Sequence, residues 1–298
     1  DRFGRPVTGI RVSVTERCNL RCFYCHKEGS SPATRELTVE QIERILQVAK
    51  GLGITKVKIT GGEPLLRNDI LGIVRAAATS GMDDVSMTTN GTKLAGIASQ
   101  LADAGLNRIN ISLDTLDPIK YKQITGAPML DAVLRGIKAA VESGLRPVKI
   151  NMVVLRGVNE NEVDRMIDFV RGTETILQLI ELVDFLPTGA DYARYHHDLR
   201  DIEEALREKA DRVIVREDMH ARPKYFVDGA EIEIVRPMHN SRFCAHCRRI
   251  RLTPDGKLKP CLLRDDNLVD LSDALSGSTQ KMVESFLRAI YYREPYFK

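Results

Sequence analysis

Four segments begin with a glycine and run into alternating apolar and polar residues: Gly53–Ile59, Gly81–Met87, Gly105–Ile111 and Gly144–Ile150. Helical periodicity precedes most of them. It is clearest from Thr38 to Leu52, where Ile42, Ile45, Leu46 and Ala49 fall on one face. Thr38 and Gln41 have the spacing of a capping box, and Gly51 or Gly53 can end the helix. Ala132, Val133, Ile137, Ala140 and Val141 form a similar stripe before Gly144. Helix, glycine and short strand, repeated, predict βα units and a parallel sheet.

The alternation selects among parallel folds. Val57/Ile59, Val85/Met87, Ile109/Ile111 and Val148/Ile150 make one apolar face, and Lys58/Thr60, Ser86/Thr88, Asn110/Ser112 and Lys149/Asn151 make a polar one. Residues 10–15 alternate likewise, with Arg11, Ser13 and Thr15 on the polar side. A doubly wound sheet buries both faces and reads as continuously apolar. A closed eight-stranded barrel fills its interior with branched apolar side chains. Helices here can cover only one face, so the other must line a wet cavity. With residues 10–15 and 176–183 the count reaches six strands, a partial α/β barrel of the (β/α)6 kind. Arg11, Lys58 and Lys149 point inward with no carboxylate at the matching strand positions, which predicts an anionic guest.

Charge and composition narrow the class. The chain has 298 residues, with 44 Lys+Arg against 41 Asp+Glu. Such a balance argues against a general nucleic-acid binder. A hydrophobic fraction of 43% supports a real core rather than disorder. There is no apolar stretch long enough to span a membrane and no secretory pattern at the N-terminus, so the expected location is the cytoplasm.

The cysteines fall in two triplets: Cys18, Cys22 and Cys25, and Cys244, Cys247 and Cys261. In a long, cysteine-poor chain such clusters point to metal rather than disulfides. The first triplet follows the first strand, at the strand end that carries the chemistry in βα barrels. Three thiolates can hold an iron–sulfur cubane with one iron left open; zinc completed by His26 is the alternative. Residues 18–25, CNLRCFYC, resemble the CxxxCxΦC signature of radical S-adenosylmethionine (SAM) enzymes, and Gly61-Gly62-Glu63-Pro64 resembles their GGEP motif. The resemblance implies a [4Fe-4S] cluster on Cys18, Cys22 and Cys25 whose free iron binds SAM. It places Tyr24 against the adenine, and Gly62, Glu63 and Ser112 as SAM contacts. The glycines would let backbone approach the ligand, and Glu63 would pair with its ammonium.

Between Cys247 and Cys261, residues 252–258 read as strand, Asp-Gly turn, strand, a hairpin presenting both ends to one metal. A zinc alternative would draw its fourth ligand from His239, since His246 lies awkwardly between the two cysteines. The two triplets, with the tail FCAHCRRIRLTPDGKLKPCL, resemble the GTP 3',8-cyclase family of molybdenum-cofactor biosynthesis over nearly the whole chain. That resemblance implies a second [4Fe-4S] cluster on Cys244, Cys247 and Cys261, whose free iron binds the guanine of GTP. It implies GTP contacts from Arg11, Lys58, Thr88, Lys149, Arg249 and Arg251. It also implies that cleavage of SAM yields a 5'-deoxyadenosyl radical, which takes hydrogen from C3' of GTP so that this carbon adds to C8. Lys58 stands where the family has arginine, Gln178 where it often has arginine and Val183 where it often has methionine, and neither Gln178 nor Val183 is taken as a site residue.

The expected organisation is a barrel over residues 1–230 and a C-terminal segment, 231–298, closing its open side. The expected partners are GTP, an electron donor, the cyclic pyranopterin synthase acting next and a second copy in a homodimer, with no membrane and no nucleic acid. Two rival readings are a two-cluster radical SAM enzyme acting on a peptide and a zinc-stabilised nucleic-acid binder. The first should lack the basic inner face, and the second should carry aromatic platforms, whereas aromatics make up only 5% here.

Overall fold

A computed structural model describes residues 1–29, 35–184 and 189–295. Six parallel strands follow one another in space as in sequence: Gly9–Ser13 (β1), Lys56–Thr60 (β2), Asp84–Thr89 (β3), Arg108–Ser112 (β4), Val148–Val154 (β5) and Ile176–Glu181 (β6). Helices Val39–Gly51 (α1), Ile70–Thr79 (α2), Ala98–Asp103 (α3), Pro118–Thr125 (α4), Leu130–Glu142 (α5) and Val163–Thr173 (α6) make the crossovers. The Thr38–Gln41 capping box forms in both directions, at 3.1 and 3.3 Å, and starts α1. The four repeat glycines have φ of 83°, 76°, 104° and 75°. That left-handed turn from helix to strand is why the repeat begins with glycine.

The strand phase is the expected one. Val57, Val85, Ile109, Val148 and Leu177 are all at most 3% exposed and belong to one apolar core with Ile42, Ile45 and Leu46 of α1 and Val133 and Ile137 of α5. Each such side chain, taken from water, contributes roughly 1.5–3 kcal/mol.

The sheet is larger than expected, with twelve strands among the described residues. Arg212–Arg216 (β7), Arg222–Val227 (β8) and Ala230–Val235 (β9) extend it beyond β6, with β9 parallel to β6. Asp228 and Gly229, both at positive φ, form the two-residue turn of the β8–β9 hairpin. The sheet therefore runs through the expected division at residue 230. On the far edge, Arg249–Leu252 (β10) pairs parallel with β1, and Lys257–Lys259 (β11) returns antiparallel, followed by Val269–Asp270 (β12). The C-terminal segment thus adds strands to both edges of the sheet, β9 beside β6 and β10 to β12 beside β1.

Candidate functional site

The polar face encloses a cavity of about 410 Å³. Its wall includes all six cysteines, every proposed GTP contact (Arg11, Lys58, Thr88, Lys149, Arg249 and Arg251), and Tyr24, Gly62 and Ser112. One direction orders these groups. Cys18 follows the C-terminal end of β1, whereas Cys247 precedes β10 and Cys261 follows β11. Because β10 is parallel to β1 and β11 antiparallel to β10, the two triplets lie at opposite ends of the cavity, with the cations between them.

The cationic side is built by strand register. Arg251 lies beside Arg11, and Arg11 beside Lys58, on three adjacent parallel strands. The absence of a facing carboxylate, expected from the strands alone, is corrected by two glutamates from elsewhere. Glu28 accepts from Arg251 at 2.8 Å and Thr60 at 3.0 Å and pairs with Arg11 at 3.0 Å. Burial alone would raise its pKa, but Arg11 and Arg251 outweigh burial and bring it to about 2. Glu233 of β9, fully buried, holds the Lys149 ammonium at 2.5 Å, Arg216 at 2.8 Å and the Gln178 amide at 2.5 Å. Burial pulls Lys149 down to about 8 although Glu233 pushes it up; at Glu233 the cations win over burial, and its pKa falls to about 2. Lys58 donates to Asn110 at 3.0 Å, and burial, then Arg108 and Arg11, lowers its pKa well below the ordinary lysine value.

The SAM-side expectations fare unevenly. Glu63 does not face the cavity. It is fully buried, and its carboxylate accepts from Leu65 N at 2.9 Å, Thr89 Oγ1 at 2.7 Å and Asn90 N at 2.7 Å. These three bonds brace the turn after β2 against the end of β3. The glycines before it line the cavity and also admit a close approach of protein backbone. A Cβ on Gly61 would lie 2.6 Å from the Thr15 carbonyl, and one on Gly62 would meet the Glu16 carbonyl at 2.5 Å and that of Arg17. Gly62 N and Glu63 N each donate at 2.7 Å to this stretch, which leads into Cys18. Tyr24 is anchored through its hydroxyl, which donates to Asp114 at 2.5 Å, while the other Asp114 oxygen accepts from Val153 N at 2.9 Å.

The donor sets suit iron–sulfur clusters. All six cysteines are free thiols. Leu20 N and Lys27 N approach the Cys18 and Cys25 sulfurs at 3.4 Å, the N–H to sulfur contacts that tune such clusters. Burial pushes the Cys22 thiol up, whereas at Cys247 Arg293 and its neighbours outweigh burial and hold the thiol down. Among the described residues, no group of three His, Cys, Asp or Glu side chains is set to hold a single ion. His26 lines the cavity, but His239 is exposed and does not. His246 is occupied by the Arg242 carbonyl and Glu217. The sequence reading missed Glu28 and Glu233, and it also missed Arg108, Arg222, Arg293 and His220, which line the cavity as well.

Residues 12–170 match the Radical SAM superfamily, and residues 175–298 match Molybdenum Cofactor Synthesis C. Probable GTP 3',8-cyclases of Methanothermobacter thermautotrophicus and Thermococcus kodakarensis are 51% and 49% identical. Each alignment covers 100% of this chain and, respectively, 98% and 99% of the relative. Among solved structures, SuiB of Streptococcus suis bound to S-adenosylmethionine superposes with a TM-score of 0.67 at 19% identity, covering 92% of this chain and 64% of that one. The SAM-bound enzyme anSMEcpe gives 0.63 at 15%, covering 92% and 79%. At those identities the two structures speak for the fold alone. Matched over its full length at half identity, with both domains in order, the chain belongs to the GTP 3',8-cyclase family of radical SAM enzymes in molybdenum-cofactor biosynthesis.

Proposed function

We propose that this chain converts GTP to (8S)-3',8-cyclo-7,8-dihydroguanosine 5'-triphosphate between two [4Fe-4S] clusters, the first on Cys18, Cys22 and Cys25 with SAM, the second on Cys244, Cys247 and Cys261 facing the guanine. The observation that carries this reading is one basic cavity with a cysteine triplet at each end. When bound, the first cluster and SAM supply the one-electron chemistry that removes hydrogen from C3'.

The chain's own residues bind and orient. Arg11, Lys58, Lys149, Arg249 and Arg251, with Thr88, hold the triphosphate, arginine by paired donors and lysine as a point charge. Glu28 fixes Arg11 and Arg251 in one geometry, and Glu233 does the same for Lys149. Tyr24, Gly62 and Ser112 face SAM. Glu63 acts on SAM only through the turn it braces. Residues 1–230 supply the barrel, and residues 231–298 bring the second cluster and the two β10 arginines.

An electron donor and the cyclic pyranopterin synthase that takes the product are the partners this chemistry requires. A cytoplasmic enzyme agrees with the finding that no described helix is long and apolar enough to cross a membrane. The test is anaerobic turnover with GTP deuterated at C3'. Label recovered in 5'-deoxyadenosine, together with a shift of the C8 proton from the aromatic to the aliphatic region as C8 becomes tetrahedral, is the expected result. Unlabelled 5'-deoxyadenosine with intact GTP would overturn the proposal.

A further inference from the structure

His220 is a cavity-wall residue with no part in the function described so far. It is 6% exposed and sits where the large cavity meets a smaller one at the N-terminal ends of β1 and β2. Its Nδ1 is buried without a hydrogen-bond partner. The ring is fixed, stacked on Phe243 with centroids 4.1 Å apart and planes 22° from parallel. The backbone is committed as well: His220 and Ala221 have φ of 66° and 52°, two non-glycine residues in the left-handed region, in a turn closed by Arg222 Nε on the Met219 carbonyl at 2.8 Å. Left-handed backbone on successive side-chain-bearing residues is costly, and such strain collects at binding sites. Burial, then Arg249, Arg222, Arg251 and Arg293, keeps the imidazole neutral, so it offers one donor and one acceptor.

A buried ring nitrogen without a partner, on a residue that lines a cavity rimmed by arginines, is complementary to an anionic oxygen. We infer that His220 is a nucleotide-contacting residue that donates a ring N–H to a phosphate oxygen of the bound substrate. The inference rests on the reading of this cavity as a GTP site. Arg222, Arg249 and Arg251 line the wall with His220, and the triphosphate is the part of the nucleotide whose negative charge suits them, which the base and ribose lack.

The test uses the anaerobically reconstituted enzyme and measures binding of GTP, guanosine and inorganic tripolyphosphate. His220→Gly removes the ring without straining the turn, and His220→Asn keeps a donor near Nδ1 on a residue that tolerates left-handed backbone. The glycine variant is expected to weaken GTP and tripolyphosphate binding about tenfold, the usual loss for one hydrogen bond to a charged group, with guanosine unchanged. The asparagine variant is expected to stay within about threefold of wild type, because it retains a donor. If the glycine variant fails to load iron, His220→Phe, which keeps the stack and loses only the nitrogens, takes its place. GTP bound as tightly as by wild type, or GTP and guanosine weakened alike, would overturn the inference. Failure of the wild-type enzyme to bind either GTP or tripolyphosphate would instead remove the cavity assignment on which the inference stands.

Discussion

Arg11 and Arg251 lie opposite each other on adjacent parallel strands, 240 residues apart in sequence, and share the carboxylate of Glu28 at 3.0 and 2.8 Å. In the proposed function the pair would act as a fork for one phosphate group. Arg251→Ala is expected to weaken GTP binding about tenfold or more, the scale of a charge-assisted contact. Iron content and SAM binding should stay near wild type. Unchanged GTP affinity by equilibrium dialysis would contradict the assignment.

Lys149 and its neighbour Val148 test the strand phase. Lys149 lines the cavity, and Val148 packs in the core on the opposite face. Lys149→Ala should impair GTP binding. Val148→Ala should lower the thermal midpoint, by about 2 kcal/mol in stability, without touching affinity. The reverse pattern would place β5 one residue out of register.

Gly62 tests the loop that carries the first triplet. A methyl group there would collide with the carbonyls of Glu16 and Arg17, neither of which can move without shifting Cys18. Gly62→Ala is therefore expected to lose about half of the iron and nearly all SAM cleavage, while the second triplet stays loaded. Full iron content and normal 5'-deoxyadenosine release would refute this.

The triplets should be separable. Wild type is expected to hold about eight iron and eight sulfide as two four-iron clusters. Changing Cys18, Cys22 and Cys25 to Ala should abolish SAM cleavage. Changing Cys244, Cys247 and Cys261 should leave some uncoupled cleavage but no cyclised product. Stoichiometric zinc without a brown chromophore would sink the assignment.

Glu233 sets an acid dependence. Its folded pKa is about 2 against an ordinary 4.5. A depressed carboxylate stabilises the fold above its unfolded value, and that contribution fades as pH falls from about 4.5 through 2. Glu233→Gln should be less stable at neutral pH by about 3 kcal/mol, since it strands Lys149 and Arg216. Its stability should also vary less between pH 4.5 and 2, followed by circular dichroism. Parallel curves for the two proteins would argue against a charged Glu233.

Much of the barrel was legible because its signals are local. The glycine before each strand marks a left-handed turn, and period-two alternation assigns the faces from β1 to β6. Other elements escaped for physical reasons. Arg212–Arg216 is an edge strand exposed along most of its length, so it lacks alternation. Asp228-Gly229 was a readable hairpin signal that went unread, and with it went β9 and Glu233. Glu63 could not be oriented from its motif because two of its partners, Thr89 and Asn90, lie on a different strand end. Glu28 belongs to a turn with left-handed backbone at Lys27 and Glu28, which no strand or helix period describes.

The pairing of β10 with β1 also governs when this protein can finish folding. As the chain leaves the ribosome, β2 to β6 can add in order beside β1, each within a few dozen residues of the last. The other edge of β1 has no partner until Arg249–Leu252 emerge. Through most of synthesis that edge is an open row of amides and carbonyls, a template for pairing with other chains. Contacts closing so long a loop form late and slowly. A nascent chain of this protein should therefore depend on chaperone cover most heavily in the interval before residue 252 is released.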